Sequence, residues 1–211
     1  MRARQLPLNL SYRPAFGRED FIVSPSNTEA VSWIDNYKKW PMHALVICGE
    51  KGSGKTHLAS IFAPDQIDAK ALGEDFSDLP ERIVVENLEG LSDEKALFHL
   101  FNRVKEKGGY LLLTASTMPD FKLPDLKTRI GAIPKAFISK PDDELLFGVL
   151  SKAFYERQIT VGPAVLEYIV THTERTFGAI QKVIQKADML SLSKGGKITV
   201  PLIKEVLGKG L

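Results

Sequence analysis

The chain has 211 residues, of which 44% are hydrophobic and 26% charged, with a net charge of +2 and a single cysteine, Cys48. That is enough chain for one large domain or two small ones. The near-neutral balance gives no strong push toward nucleic acid, and the lone cysteine excludes an internal disulfide framework and suits a reducing compartment. No apolar run reaches membrane-spanning length and Arg2 and Arg4 have no long apolar stretch behind them, so a soluble cytoplasmic protein without span or secretory signal is expected.

Residues 1–18 read as a tail, broken by Pro7, Pro14 and Gly17. It carries a greasy hexapeptide, Gln5-Leu6-Pro7-Leu8-Asn9-Leu10. Such a peptide either packs on its own domain or waits for a partner. Ser24-Pro25-Ser26-Asn27 then reads as a turn with Asn27 as N-cap of a helix, since Ala30, Val31, Ile34 and Tyr37 follow at helical spacing. Trp40-Pro41 ends it. Ala44-Leu45-Val46-Ile47-Cys48, stopped by Gly49, reads as a buried parallel strand.

Next comes Gly49-Glu50-Lys51-Gly52-Ser53-Gly54-Lys55-Thr56, which fits GxxxxGK[ST] throughout. It follows a strand and enters an apparent helix, His57–Phe62. The glycines let backbone N–H groups turn toward phosphate oxygens at a helix N-terminus that favours anions. Lys55 is expected on the β- and γ-phosphates and the Thr56 hydroxyl on Mg²⁺. The bland alternative is a glycine-rich turn that matches by accident; the flanking strand and helix argue against it.

Arg82–Asn87 reads as a second strand and Tyr110–Thr114 as a third. Between them, Ala96, Leu97, Leu100, Phe101 and Val104 share one helical face. This strand–helix–strand order predicts a parallel α/β sheet. The second strand ends in Glu86-Asn87. Glu86 can assist Mg²⁺, but Asn87 stands where a hydrolase places a water-activating acid, and a neutral amide cannot accept a proton from water. Fast unaided hydrolysis is therefore not expected; Glu89, two residues on, is an alternative acid for that place, but it is read as an exposed loop acid. Beyond Lys140-Pro141 only helical patterns remain, at 142–157, 163–172, 174–192 and 200–207. The expected organisation is a tail at 1–18, an α/β base at 19–140 and a small all-helical domain at 141–211.

Taken together, these segments resemble the AAA+ ATPases, and within them the DnaA-related family, closest to its Hda branch of DnaA inactivators. Phe21–Asn27 resembles the adenine-side segment before the first helix, with Ile22 and Val23 toward the base. GEKGSGKTHLA, including His57, resembles the family's phosphate loop. Glu86-Asn87-Leu88-Glu89 is similar to the acid–asparagine form of the Hda branch. Leu111–Pro119 and Leu123–Ile130 resemble a sensor 1 strand and an arginine-finger segment, and Glu174–Ile180 a sensor 2 helix. The departure is Ser116, where the family usually has an acid.

The resemblance implies a P-loop AAA+ base followed by a helical lid, binding ADP or ATP with Mg²⁺ held by Thr56 and Glu86. It implies that Arg129 is supplied in trans to a neighbour's nucleotide, against the alternative of an ordinary surface ion pair. It also implies that Arg175, read as beginning a helix where the dipole disfavours a cation, meets either a nucleotide phosphate or an acidic neighbour. The implied function is regulation of replication initiation: docking on DnaA-ATP and stimulating its hydrolysis. Gln5, Leu6, Leu8 and Leu10 would insert into the β sliding clamp as an extended peptide. The chain ends soon after the lid with no basic recognition helix, so DNA is expected to be reached only through the clamp. The oligomeric state stays open, a homodimer included. An autonomous P-loop ATPase and a helicase-loader or single-strand-handling module are the alternatives.

Overall fold

The computed structural model describes residues 17–194 and 196–208; the clamp-peptide reading at Gln5–Leu10 lies outside them. These residues divide at Asp142/Asp143 into two compact units.

The first unit is a three-layer α/β base. Its strands are β1 (Ala44–Gly49), β2 (Gln66–Asp68), β3 (Arg82–Glu86), β4 (Tyr110–Ala115) and β5 (Lys135–Ile138). All pairs are parallel, in the order β2-β3-β4-β1-β5. Central strands are buried on both faces, which explains the unbroken apolar runs at β1, β3 and β4. On β1, Leu45 and Ile47 face one layer, with helices α1 (Thr28–Asp35) and α2 (Lys55–Phe62). Ala44, Val46 and Cys48 face the other, with α3 (Glu94–Glu106) and α4 (Pro124–Ala132).

Registers align the strand ends. Asp68 pairs with Glu86, Ala115 with Cys48, and Ile138 with Gly49. One row along the C-terminal edge of the sheet therefore collects the phosphate loop, the acidic end of β3 and the end of β4. This is where open parallel sheets bind ligands.

The second unit is all helical: α5 (Asp143–Glu156), α6 (Pro163–His172), α7 (Phe177–Lys194) and α8 (Val200–Val206). Their apolar faces meet around Leu146, Leu150, Phe154, Ile169, Ile180, Ile184 and Ile203. The α/β base and helical lid expected from the sequence are what the chain forms. Several local readings change. The first helix stops at Asp35 and a separate 3-10 turn, Tyr37–Lys39, leads to Trp40, so Trp40-Pro41 is not its end. Asn27 occupies the cap position of α1 but does not cap it; its amide accepts from Ser24 N–H and donates to Ile22 O, both at 3.0 Å. And α7 starts at Phe177, capped by the Thr176 hydroxyl on Ala179 N–H, so Arg175 lies before the helix rather than in its first turn.

Candidate functional site

The phosphate loop leaves β1 at Gly49, turns through Gly52 (φ 79°) and Gly54 (φ 100°), and enters α2. Both conformations favour glycine. Gly49 is required for a different reason: a Cβ there would meet Ser53 Oγ at 2.7 Å and Ile138 O at 2.8 Å. The Ser53 hydroxyl is buried without a hydrogen-bond partner.

Lys55 is buried. Its ammonium donates to Gly49 O (2.6 Å), Glu50 O (2.9 Å) and Ser116 Oγ (3.2 Å). An ammonium has three N–H donors, and all are used. Burial lowers its pKa, with Glu89 and then Glu86 opposing that shift. Phosphate binding would exchange carbonyl acceptors for anionic oxygens, which accept more strongly.

Glu86 stands at the end of β3, half-buried, and burial raises its pKa; the Thr56 hydroxyl donates to it and Lys55 lies near, both opposing the shift. Gln66, with its amide oriented to satisfy both ends, donates to Glu86 Oε2 at 2.9 Å and accepts from Ser60. Thr56 and Glu86 are thus brought together as the sequence reading expects of Mg²⁺ ligands. No group of three or more His, Cys, Asp or Glu side chains able to hold a metal occurs among the described residues. The donor set fits Mg²⁺, which takes one or two protein oxygens, waters and substrate phosphates rather than a protein cage.

The segment Phe21–Asn27 is set against α2. The Phe21 ring meets His57 edge-on at 5.0 Å, and Asn27 ties down Ile22 and Ser24 around the exposed Val23. Asn27 was legible only as a cap; its work in this segment depends on a side-chain conformation no motif encodes.

Asn87 and Glu89 differ most from the sequence reading. Asn87 is left-handed (φ 61°, ψ 53°), and its amide donates to Asp68 Oδ2 at 2.8 Å. Glu89 is exposed, as read from the sequence, but it is not without a partner. Its carboxylate accepts Ser116 N–H at 3.0 Å. Desolvation pushes its pKa up, but its own N–H, the Ser116 N–H and hydroxyl, and Lys55 together pull it below the usual value.

Arg129, in the last turn of α4, lies over the rings of Phe98 and Phe101, 4.9 and 5.5 Å from their centroids. The start of α4 is pinned from α3: the Glu94 carboxylate accepts Lys122 N–H at 3.0 Å and Leu123 N–H at 2.7 Å. Sequence reading missed Glu94, whose targets lie far along the chain. In the lid, Arg175 pairs with Asp143 at 2.9 Å, the acidic neighbour that was one of its two expected partners.

Residues 143–207 match the family model described as "Hda, lid domain". An uncharacterized protein of Haemophilus influenzae is 31% identical, over 97% of this chain and 98% of its own length. The chromosomal replication initiator protein DnaA of a Picosynechococcus is 24% identical, over 89% of this chain and 50% of its own length, so the chain spans about half of that relative. Among solved structures, domain III of Thermotoga maritima DnaA superposes with a TM-score of 0.77 at 17% identity, covering 93% of this chain and 97% of that domain. The T. maritima RuvB Holliday junction branch migration motor follows at 0.73 and 15% identity, covering 93% and 74%. No described helix is long and apolar enough to cross a membrane.

Proposed function

We propose, from the premise that this chain belongs to the DnaA-related AAA+ family and carries an Hda-type lid, that it is a nucleotide-binding regulator of replication initiation. It binds ADP or ATP through Gly49–Thr56, with Mg²⁺ on Thr56 and Glu86. It docks on DnaA-ATP and speeds hydrolysis there by supplying Arg129 in trans. Gln5, Leu6, Leu8 and Leu10 hold it to the sliding clamp.

The observation that carries this reading is an Hda-type lid, at 143–207, on the same chain as a complete phosphate loop. Two details support it. Asn87 is neutral and committed to Asp68, which suits slow turnover by the chain alone. Arg129 sits on a helix pinned by Glu94 and lies over the rings of Phe98 and Phe101. A cation–π contact contributes about 0.5–1 kcal/mol at exposed sites. A finger in trans accelerates hydrolysis by about 10³- to 10⁵-fold, so leaving the rings is a small sacrifice.

The test is hydrolysis of DnaA-bound ATP with sliding clamp and DNA present. The wild-type chain should accelerate it and Arg129→Ala should not; no acceleration by wild type overturns the proposal. Rapid ATP turnover by the purified chain without DnaA would instead identify an autonomous ATPase. Removing residues 1–10 should abolish clamp binding and leave nucleotide binding intact.

A further inference from the structure

The position that lacks its acid in sequence has one in space. β3 ends at Glu86, and the chain reverses at once through the left-handed Asn87. The Asn87 N–H donates to Thr114 Oγ1 at 3.2 Å while its amide leaves toward Asp68. Leu88 is fully buried and anchors the turn. Gly90 N–H closes on Asn87 O at 2.8 Å and Leu91 N–H on Leu88 O at 3.0 Å. This turn brings residue 89, not 87, to the end of β4.

There Glu89 accepts Ser116 N–H at 3.0 Å, and the hydroxyl of the same serine accepts Lys55 Nζ at 3.2 Å. Ser116 thus links the two charges, holding the ammonium through its hydroxyl and the carboxylate through its N–H. Glu89 acts on the Lys55 charge more strongly than Glu86 does, although Glu86 is the acid that the motif names.

We propose that Glu89, acting through Ser116, is a positioning and selectivity residue of the nucleotide site: it orients the Lys55 ammonium and sets how strongly the site distinguishes a nucleoside triphosphate from a diphosphate. The inference rests on the phosphate loop binding nucleotide, as proposed above. Lys55 is the group that meets the terminal phosphates. A fixed carboxylate beside it lowers the positive potential there. The loss is greater for the ligand that brings more negative charge to that ammonium, which is the triphosphate. Ser116, uncharged where an acid was expected, then has a definite task. It transmits the charge of Glu89 to Lys55 without placing a carboxylate against the phosphate itself.

The experiment is calorimetric titration of the whole chain with Mg-ADP and with a non-hydrolysable Mg-ATP analogue at fixed ionic strength. Wild type is compared with Glu89→Gln, Glu89→Asp, Ser116→Ala and the Glu89→Gln/Ser116→Ala pair. Glu89→Gln should tighten triphosphate relative to diphosphate by about tenfold, the size of a one-unit pKa coupling. Glu89→Asp should keep the wild-type ratio, because the charge remains. Ser116→Ala should move the ratio the same way by less, and the double variant should not be additive. An unchanged ratio in Glu89→Gln, with wild type binding both nucleotides, overturns the inference alone. So does an equal loss of both affinities with a lowered unfolding temperature, which assigns Glu89 a structural task only. Wild type binding neither nucleotide overturns the nucleotide reading as well.

Discussion

Base and lid hold their key cations in opposite ways. Lys55 is buried, and two of its three acceptors are main-chain carbonyls. Arg175 stands on the lid surface, its side chain 59% exposed, with Asp143 as partner. Carbonyls cannot be mutated away, so the base presets its cation through the fold of the loop. An exposed ion pair contributes about 0–1 kcal/mol and gives way readily to a stronger anion. The base fixes its cation in one geometry, whereas the lid holds its cation in an exposed ion pair.

The largest effect tests whether the lid has a core of its own. Phe154 is fully buried among α5–α8 residues, and Phe154→Ala should destabilise the lid by about 3–5 kcal/mol. Hydrogen exchange should show the loss concentrated at 143–207; a loss spread equally over β1, β3 and β4 would break the contrast. Next, Lys55→Ala should weaken nucleotide binding by about 100-fold or more, as expected when a buried charge-assisted contact is deleted. Unchanged binding would remove the phosphate-loop assignment.

A smaller effect follows from acidity. Burial first, opposed by the Thr56 hydroxyl and Lys55, leaves the Glu86 pKa above its ordinary 4.5. Metal binding needs the ionised form, so Mg²⁺-dependent nucleotide affinity should fall as pH drops through a value above 4.5, by at most about tenfold per pH unit. The folded-state sign is the reverse: a raised carboxylate pKa disfavours folding above that value, and the penalty is relieved on acidification. Glu86→Gln should flatten the affinity profile in titrations at varied pH. Smallest of all, Asp143→Asn should change unfolding stability by less than about 0.5 kcal/mol in urea melts. A large drop would show that Arg175–Asp143 is structural rather than exchangeable.

What could be read beforehand follows from how local each feature is. The strands β1, β3 and β4 announce themselves because both faces are buried. Three-residue β2, whose Asp68 is exposed, and β5, with Lys135 and the exposed Phe137, carry no such run. Helix α4 buries only Leu126 and Ile130 along its length, and is fixed by Pro124 and by Glu94 from 28 residues away. The Gly49–Thr56 motif is contiguous, and the strand before it and the helix after it were legible. The Lys55–Ser116–Glu89 line joins three separate segments, and a left-handed residue decides its membership. Motif spacing assumes that consecutive residues on a strand keep their alternation, and Asn87 breaks that assumption.

That turn also constrains how this site could change over generations. Asparagine tolerates the left-handed region better than most residues. Aspartate would tolerate it too, and one nucleotide change in a codon suffices to exchange the two. Yet a carboxylate at position 87 would face Asp68, whose oxygen now lies 2.8 Å from the Asn87 amide nitrogen. The step toward adjacent acids would begin by setting two negative groups against each other. A lineage that carries Asp68 would meet that repulsion on the way to the two-acid form, and a change in β2 would relieve it.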